Sequence, residues 1–123
     1  MGEKKNIIKD KSFLFAKRII KLYKYLTDSK KEFVISKQLL RSGTAVGALV
    51  REAQNAESRA DFIHKLGIAQ KECDESLYWL ELLYESDYLL EKEFISIQKE
   101  ASDLLRMIRS AILTTKSRKK NQA

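Results

Sequence analysis

The sequence predicts an all-α protein folded as an antiparallel up-down-up-down four-helix bundle. Three observations carry that expectation. Apolar residues recur at three- and four-residue spacing in four separate stretches, rather than by alternation. The 123 residues include no proline and only four glycines, too few for the dense turns of an all-β fold. Short polar breaks separate the four stretches, and short connections force consecutive helices to lie antiparallel.

The first helix spans about residues 12–27, with Ser12 as N-cap and Ala16, Ile19, Tyr23 and Leu26 on its core stripe. Asp28-Ser29-Lys30-Lys31 breaks it. The second spans about 33–56 and carries Ile35, Leu39, Val46, Val50 and Ala53. The third starts at Ser58, an N-cap with Asp61 in the first turn, and reaches about Glu85 through Phe62, Leu66, Ala69, Cys73, Leu77, Leu80 and Tyr84. After the connection Ser86-Asp87-Tyr88, the fourth spans about 91–115 with Phe94, Ile97, Ala101, Leu104, Ile108 and Ile112. Residues 1–123 therefore read as a single domain with basic tails at about 1–11 and 116–123, the second expected to fray.

The apolar faces are wider than a lone bundle needs. Ile63, Ile68, Tyr78, Trp79 and Leu82 lie off the stripe of the third helix. Phe13, Ile20 and Leu22 lie off the first, and Leu105 and Leu113 off the fourth. A helix apolar on more than one side is either central or shared with another subunit, and a four-helix bundle has no central helix. The pattern predicts self-association, with Ile63, Ile68, Tyr78 and Trp79 as candidate interface residues.

At 44% hydrophobic and 33% charged, the chain has enough apolar material for a core and too much for disorder. The net charge of +7 is unevenly spread: +7 over residues 1–31, 0 over 32–57, −4 over 58–90 and +4 over 91–123. First and fourth helices are neighbours in such a bundle, so their basic faces are expected to merge. Cys73 is the only cysteine, which excludes an intrachain disulfide and a cysteine-based zinc cluster and fits a reducing cytoplasm. The charged N-terminus has no signal-peptide stretch, and no apolar run is long enough to span a bilayer.

The most unusual stretch is Arg41-Ser42-Gly43-Thr44-Ala45-Val46-Gly47-Ala48. Each glycine inside a helix costs roughly 1 kcal/mol relative to alanine. A phosphate-binding loop is excluded, because no Gly-Lys-Ser/Thr follows and no strand precedes. Gly43 and Gly47, four apart, instead read as a groove where another helix approaches closely.

The whole segment Gln38-Leu39-Leu40-Arg41-Ser42-Gly43-Thr44-Ala45-Val46-Gly47-Ala48-Leu49-Val50-Arg51-Glu52-Ala53 resembles the signature of the four helix bundle protein family. Its first members are encoded in intervening sequences of bacterial 23S ribosomal RNA genes and were once labelled S23 ribosomal proteins. Ala60-Asp61-Phe62-Ile63-His64-Lys65-Leu66-Gly67-Ile68-Ala69 and the stretch from Lys71-Glu72 to Leu83 are also similar to the family pattern, so the resemblance covers roughly residues 12–113. Leu49 stands where the family usually has asparagine. The resemblance implies a ring-shaped homopentamer. It also implies kinship with the accessory variability protein of diversity-generating retroelements, a basic pentamer that binds nucleic acid and a reverse transcriptase. It implies no catalytic residue set.

Lys17, Lys21 and Lys24, four and three apart, form one stripe, flanked by Arg18 and Tyr25 and led by Lys4, Lys5, Lys9 and Lys11. Arg106, Arg109, Lys116, Arg118, Lys119 and Lys120 supply the other basic cluster. Such residues contact phosphates without reading bases. Gln38, Arg41, Ser42, Gly43, Thr44, Gly47 and Glu52 are the family-motif residues expected to pack helices, with Arg41, Arg51 and Glu52 in structural salt bridges. His64 lacks partners for catalysis or for a di-iron site. Glu72, Asp74 and Glu75 have no histidine beside them, so no metal and no cofactor is expected. The first functional reading is a non-enzymatic cytoplasmic oligomer that binds RNA or DNA with low sequence specificity. The alternative is a structural or protein-interaction module with no nucleic-acid role. The partners expected are further copies of the chain, nucleic acid, and a reverse transcriptase or other protein, with no membrane.

Overall fold

The computed structural model describes the backbone of residues 7–122 and the side chains of 7–118. Among these residues the chain forms four helices and no strand: α1 (Ile7–Asp28), α2 (Ile35–Gln54), α3 (Arg59–Glu85) and α4 (Glu91–Gln122). Each helix packs on the next, and α1 closes the bundle against α4, the most loosely packed of the four seams. α1 and α3 do not pack together, nor do α2 and α4, so each pair sits at diagonal corners.

Two element boundaries differ from expectation. Ser12 is not a cap. It is buried inside α1, and its hydroxyl donates to the Lys9 carbonyl at 3.0 Å, because the apolar face already begins at Ile8. The expected frayed C-terminal tail is instead helical to Gln122. Ser58 does cap α3, its Oγ accepting from the Asp61 N–H at 3.0 Å, while Asp61 accepts from the Glu57 N–H at 3.2 Å.

The start of α2 is held by a residue the periodicity passed over. Glu32 is 7% exposed, and its carboxylate accepts the N–H groups of Val34, Ile35 and Ser36 at 3.1, 2.9 and 2.6 Å. The Ser36 hydroxyl answers by donating to the Glu32 carbonyl at 2.8 Å. Burial opposes ionisation of Glu32, but the donors from Ile35, Ser36 and Val34 outweigh it and hold the carboxyl below its usual range.

The core is built from Phe15, Ile19, Leu22 and Leu26 of α1, Leu39, Val46 and Val50 of α2, Leu66, Cys73, Leu80 and Leu83 of α3, and Phe94, Ile97, Leu104 and Ile108 of α4. Each large side chain buried this way contributes about 1.5–3 kcal/mol. The α1–α2 approach is closest at the two glycines. A Cβ on Gly43 would lie 2.8 Å from Ile19 Cγ1, and one on Gly47 would lie 3.3 Å from the Ser12 carbonyl oxygen. Across the α2–α3 seam the buried hydroxyls of Ser42 and Ser76 hydrogen-bond at 2.9 Å.

Candidate functional site

Antiparallel packing decides which basic residues share a surface. Arg18 reaches across the α1–α4 seam and donates to Glu100 at 2.9 Å, Ser96 at 2.9 Å and Glu93 at 3.2 Å. Burial works against its charge, but Glu100 and Glu93 hold the guanidinium above its usual value. Arg18, offered by the sequence as a phosphate contact, is thus part of an interhelical brace.

The same pairing sets residue 18 opposite about residue 96. Lys17, Lys21 and Lys24 therefore lie beside the acidic first half of α4. They share a groove of about 910 Å³ with Leu14, Tyr25, Leu89, Leu90 and Glu93. The basic half of α4 lies at the other end, beside the start of α1, where Lys9 and Lys11 fall opposite about 103–106. The expected merged basic face is consequently two separate patches, because antiparallel helices bring unlike sequence halves together.

The second half of α4 has no acid after Asp103. Residues 104–123 hold six basic side chains and none of the opposite sign. Arg106, Arg109, Leu113 and Lys116 fall at i, i+3, i+7 and i+10, one face of the helix, and all four are exposed. Arg106 also pairs with Asp103, whose carboxyl Lys99 and Arg106 hold below its usual range against the effect of burial. Lys4, Lys5, Lys119 and Lys120 lie outside the residues whose side chains are described.

This half also projects. The Cys73 thiol donates to the Ala101 carbonyl at 3.4 Å, which sets the α3–α4 register. Counting from that pair, α4 ends about seven residues, roughly 10 Å, past the start of α3. Arg118 and Lys116 stand on this projecting end, away from the packed core.

The sequence model of the 23S rRNA-intervening sequence proteins matches residues 4–110. The chain belongs to the 23S rRNA-intervening sequence protein family. It is 51% identical to a protein with unknown function from the S23 ribosomal protein family of Bacteroides thetaiotaomicron VPI-5482, solved by crystallography at 1.70 Å resolution. That likeness covers 89% of this chain and 97% of the other, with a TM-score of 0.87. No curated protein matches.

The motif that this member of the 23S rRNA-intervening sequence protein family carries on α2 serves packing. Ser42 and Gly43 are buried against α3 and α1, Thr44 donates to the Leu40 carbonyl at 2.7 Å, and Gln38 is exposed. Arg41 donates to Glu72 at 3.1 Å and also pairs with Glu75, so the carboxylates weighed as a metal site clamp an arginine instead. Burial opposes the Arg41 charge, but Glu72 and Glu75 raise its pKa. Glu52 accepts from Lys65 at 3.0 Å, and Arg51 lies 5.8 Å over the Phe13 ring. All three α2 residues are exposed: the expected salt bridges of Arg41 and Glu52 form on the outside of the α2–α3 seam, while Arg51 meets the Phe13 ring rather than a carboxylate among the described residues. Leu49, in the usual asparagine position, packs half-buried against the core.

Of the interface candidates, Ile63 and Trp79 are half-buried and packed on the core, Ile68 is half-buried, and Tyr78 is 58% exposed. Trp79 donates to Glu75 at 3.0 Å and meets Tyr78 edge-on. Other large apolar residues are exposed as well: Phe13, Leu14, Ile20 and Tyr25 on α1, Phe33 and Val34 before α2, Leu90 before α4, and Ile95 and Leu113 on α4. Helical spacing sets Leu22 and Leu105 off their stripes, yet both are core. Cys73 is fully buried; burial, joined by Asp74, pushes its thiol up to about 12. Among the described residues no helix is long and apolar enough to cross a membrane.

Proposed function

We propose that this chain is a non-enzymatic oligomer that binds RNA or DNA through phosphates, with low sequence specificity. The single observation behind this reading is the acid-free second half of α4, whose described basic side chains Arg106, Arg109, Lys116 and Arg118 are all exposed and whose end projects. A row of cations without interleaved acids releases counterions from a polyanion and reads no base edges. The family resemblance supports a ring-shaped homopentamer as the assembled form, and the retroelement kinship supports a reverse transcriptase as a protein partner. A single cysteine with its thiol buried suits a cytoplasmic location.

Each basic side chain on a phosphate adds about −0.9 to the log-log salt slope on duplex DNA. Electrophoretic shift of a short RNA and a short duplex at several salt concentrations should give binding that falls steeply with salt. The triple variant Arg109→Glu, Lys116→Glu, Arg118→Glu should flatten that slope by about three contacts. Absence of any shift, and of heparin retention, at low salt would overturn the reading. The alternative, a protein-interaction module, is favoured by one observation: α1 exposes Leu14 and Ile20 beside its lysines, and aliphatic side chains have no use on a phosphate backbone.

A further inference from the structure

Two outer faces of the subunit match each other in period and oppose each other in charge. α1 and α3 sit at diagonal corners, each packed against α2 and α4 and bare on its remaining side. On α1 that side carries Lys17, Lys21 and Lys24 at i, i+4 and i+7, and no acid lies between Asp10 and Asp28. On α3 it carries Asp74, Tyr78, Glu81 and Glu85 at i, i+4, i+7 and i+11, and no base follows Lys71 in the helix. All seven residues are exposed.

Neither stripe is consumed inside the subunit. The acids of α3 that face α2, Glu72 and Glu75, hold Arg41, and the α1 cation that faces α4, Arg18, holds Glu93 and Glu100. The six charged residues of the two stripes make no ion pair among the described residues. Apolar surface accompanies the charge on both sides: Leu14 at 56% and Ile20 at 41% exposed on α1, Tyr78 at 58% on α3.

We propose that the lysine face of α1 in one copy seats on the acidic face of α3 in the next. The idea rests on the self-association reading above and names the surfaces that carry it. An acidic helix face repels phosphate, so its occupant is cationic. The chain's own α1 offers cations at the same helical spacing. Because the two faces point away from each other within a subunit, the contact is head-to-tail, and each copy both gives and receives it. The apolar side chains supply the binding free energy, while the charge stripes fix register and raise the association rate. Exposed ion pairs are worth only about 0–1 kcal/mol each, so three reversals act mainly by turning attraction into repulsion. On this arrangement Lys17, Lys21 and Lys24 are covered, and phosphate contact falls to the projecting end of α4.

Light scattering and sedimentation of the full chain test this, with circular dichroism to confirm helicity. The wild type should assemble, and its assembly should weaken with salt. Lys17→Glu, Lys21→Glu, Lys24→Glu in one chain, and Asp74→Lys, Glu81→Lys, Glu85→Lys in another, should each shift the protein to the monomer mass. All six reversals in a single chain should restore assembly, because each surface again meets its opposite. If a reversal unfolds the chain, the corresponding alanine triple, which keeps good helix formers, should raise the protein concentration needed for assembly and remove most of its salt dependence; an alanine triple that changes neither would overturn the contact. A monomeric wild type would sink the self-association reading itself. A wild-type assembly that either triple leaves intact, or that the sixfold variant fails to restore, would overturn the α1–α3 contact alone. An α1 triple that assembles but no longer binds RNA would assign those lysines to nucleic acid instead.

Discussion

Alanine at Gly43 and alanine at Gly67 should move stability in opposite directions, although both replace a glycine in the middle of a helix. Alanine is favoured over glycine in a helix interior by about 1 kcal/mol. At Gly67 nothing lies within 4 Å of the added Cβ, so that gain is kept nearly whole. At Gly43 the Cβ would meet Ile19 Cγ1 at 2.8 Å and Cγ2 at 2.9 Å. Ile19 is fully buried and β-branched, with few rotamers to escape into. Forcing α1 away costs about 1–3 kcal/mol for an overpacked core, which leaves a net loss of roughly 0–2 kcal/mol. The two variants should therefore differ by about 1–3 kcal/mol, several degrees in melting temperature. Urea and thermal denaturation followed by circular dichroism, at two protein concentrations to separate folding from assembly, measure this. A Gly43→Ala protein as stable as Gly67→Ala would show that α1 does not approach α2 as closely as described.

The Glu32 cap makes an acid-side prediction. Its folded-state pKa lies below the ordinary 4.5, so its stabilisation is present above that value and is lost as pH falls through the lower folded value. Glu32→Gln should cost about 1 kcal/mol near neutral pH, the usual worth of a cap, and the deficit should shrink in strong acid. A melting-temperature difference that is flat from pH 7 to pH 2 would contradict the carboxylate cap. Cys73, with its thiol pushed to about 12, should resist a disulfide exchange reagent at pH 8 in the native protein and react promptly in urea. Rapid labelling of native protein would contradict its burial.

Most of the fold was legible because helix periodicity reports burial directly. On α4 every residue of the expected stripe, from Phe94 to Ile112, is buried. On α1 the reading slipped: Phe15 and Leu22 are core, while Ala16 and Tyr23 are only half-buried. A helix rich in apolar residues on several sides supports more than one stripe, and only the partner helices choose between them. Gly43 and Gly47 were legible as a close approach because two helical glycines four apart open one groove, whereas the lone Gly67 faces open space. Glu32 was not, because a capping acid outside the helix leaves no period to detect. The registers were not legible either. Spacing within one helix places Lys17, Lys21 and Lys24 together, but only the Arg18 brace shows that Glu93, rather than Arg109, lies beside them.

That register changes what the net charge means. A molecule of +7 whose charge were spread evenly would repel its own copies and attract any polyanion weakly over its whole surface. Here the acids collect on α3 and the first half of α4, and the bases on α1 and the end of α4, so unlike faces exist on one subunit. On the proposed arrangement, assembly and phosphate binding draw on different bases and reinforce each other. One projecting helix end holds too few cations to grip nucleic acid firmly at physiological salt. Several such ends, fixed in one assembly, bind as linked modules whose combined affinity exceeds that of any single end. Losing the α1–α3 contact should then weaken RNA binding even though every basic residue of α4 remains in place. Losing the α4 bases should leave assembly untouched.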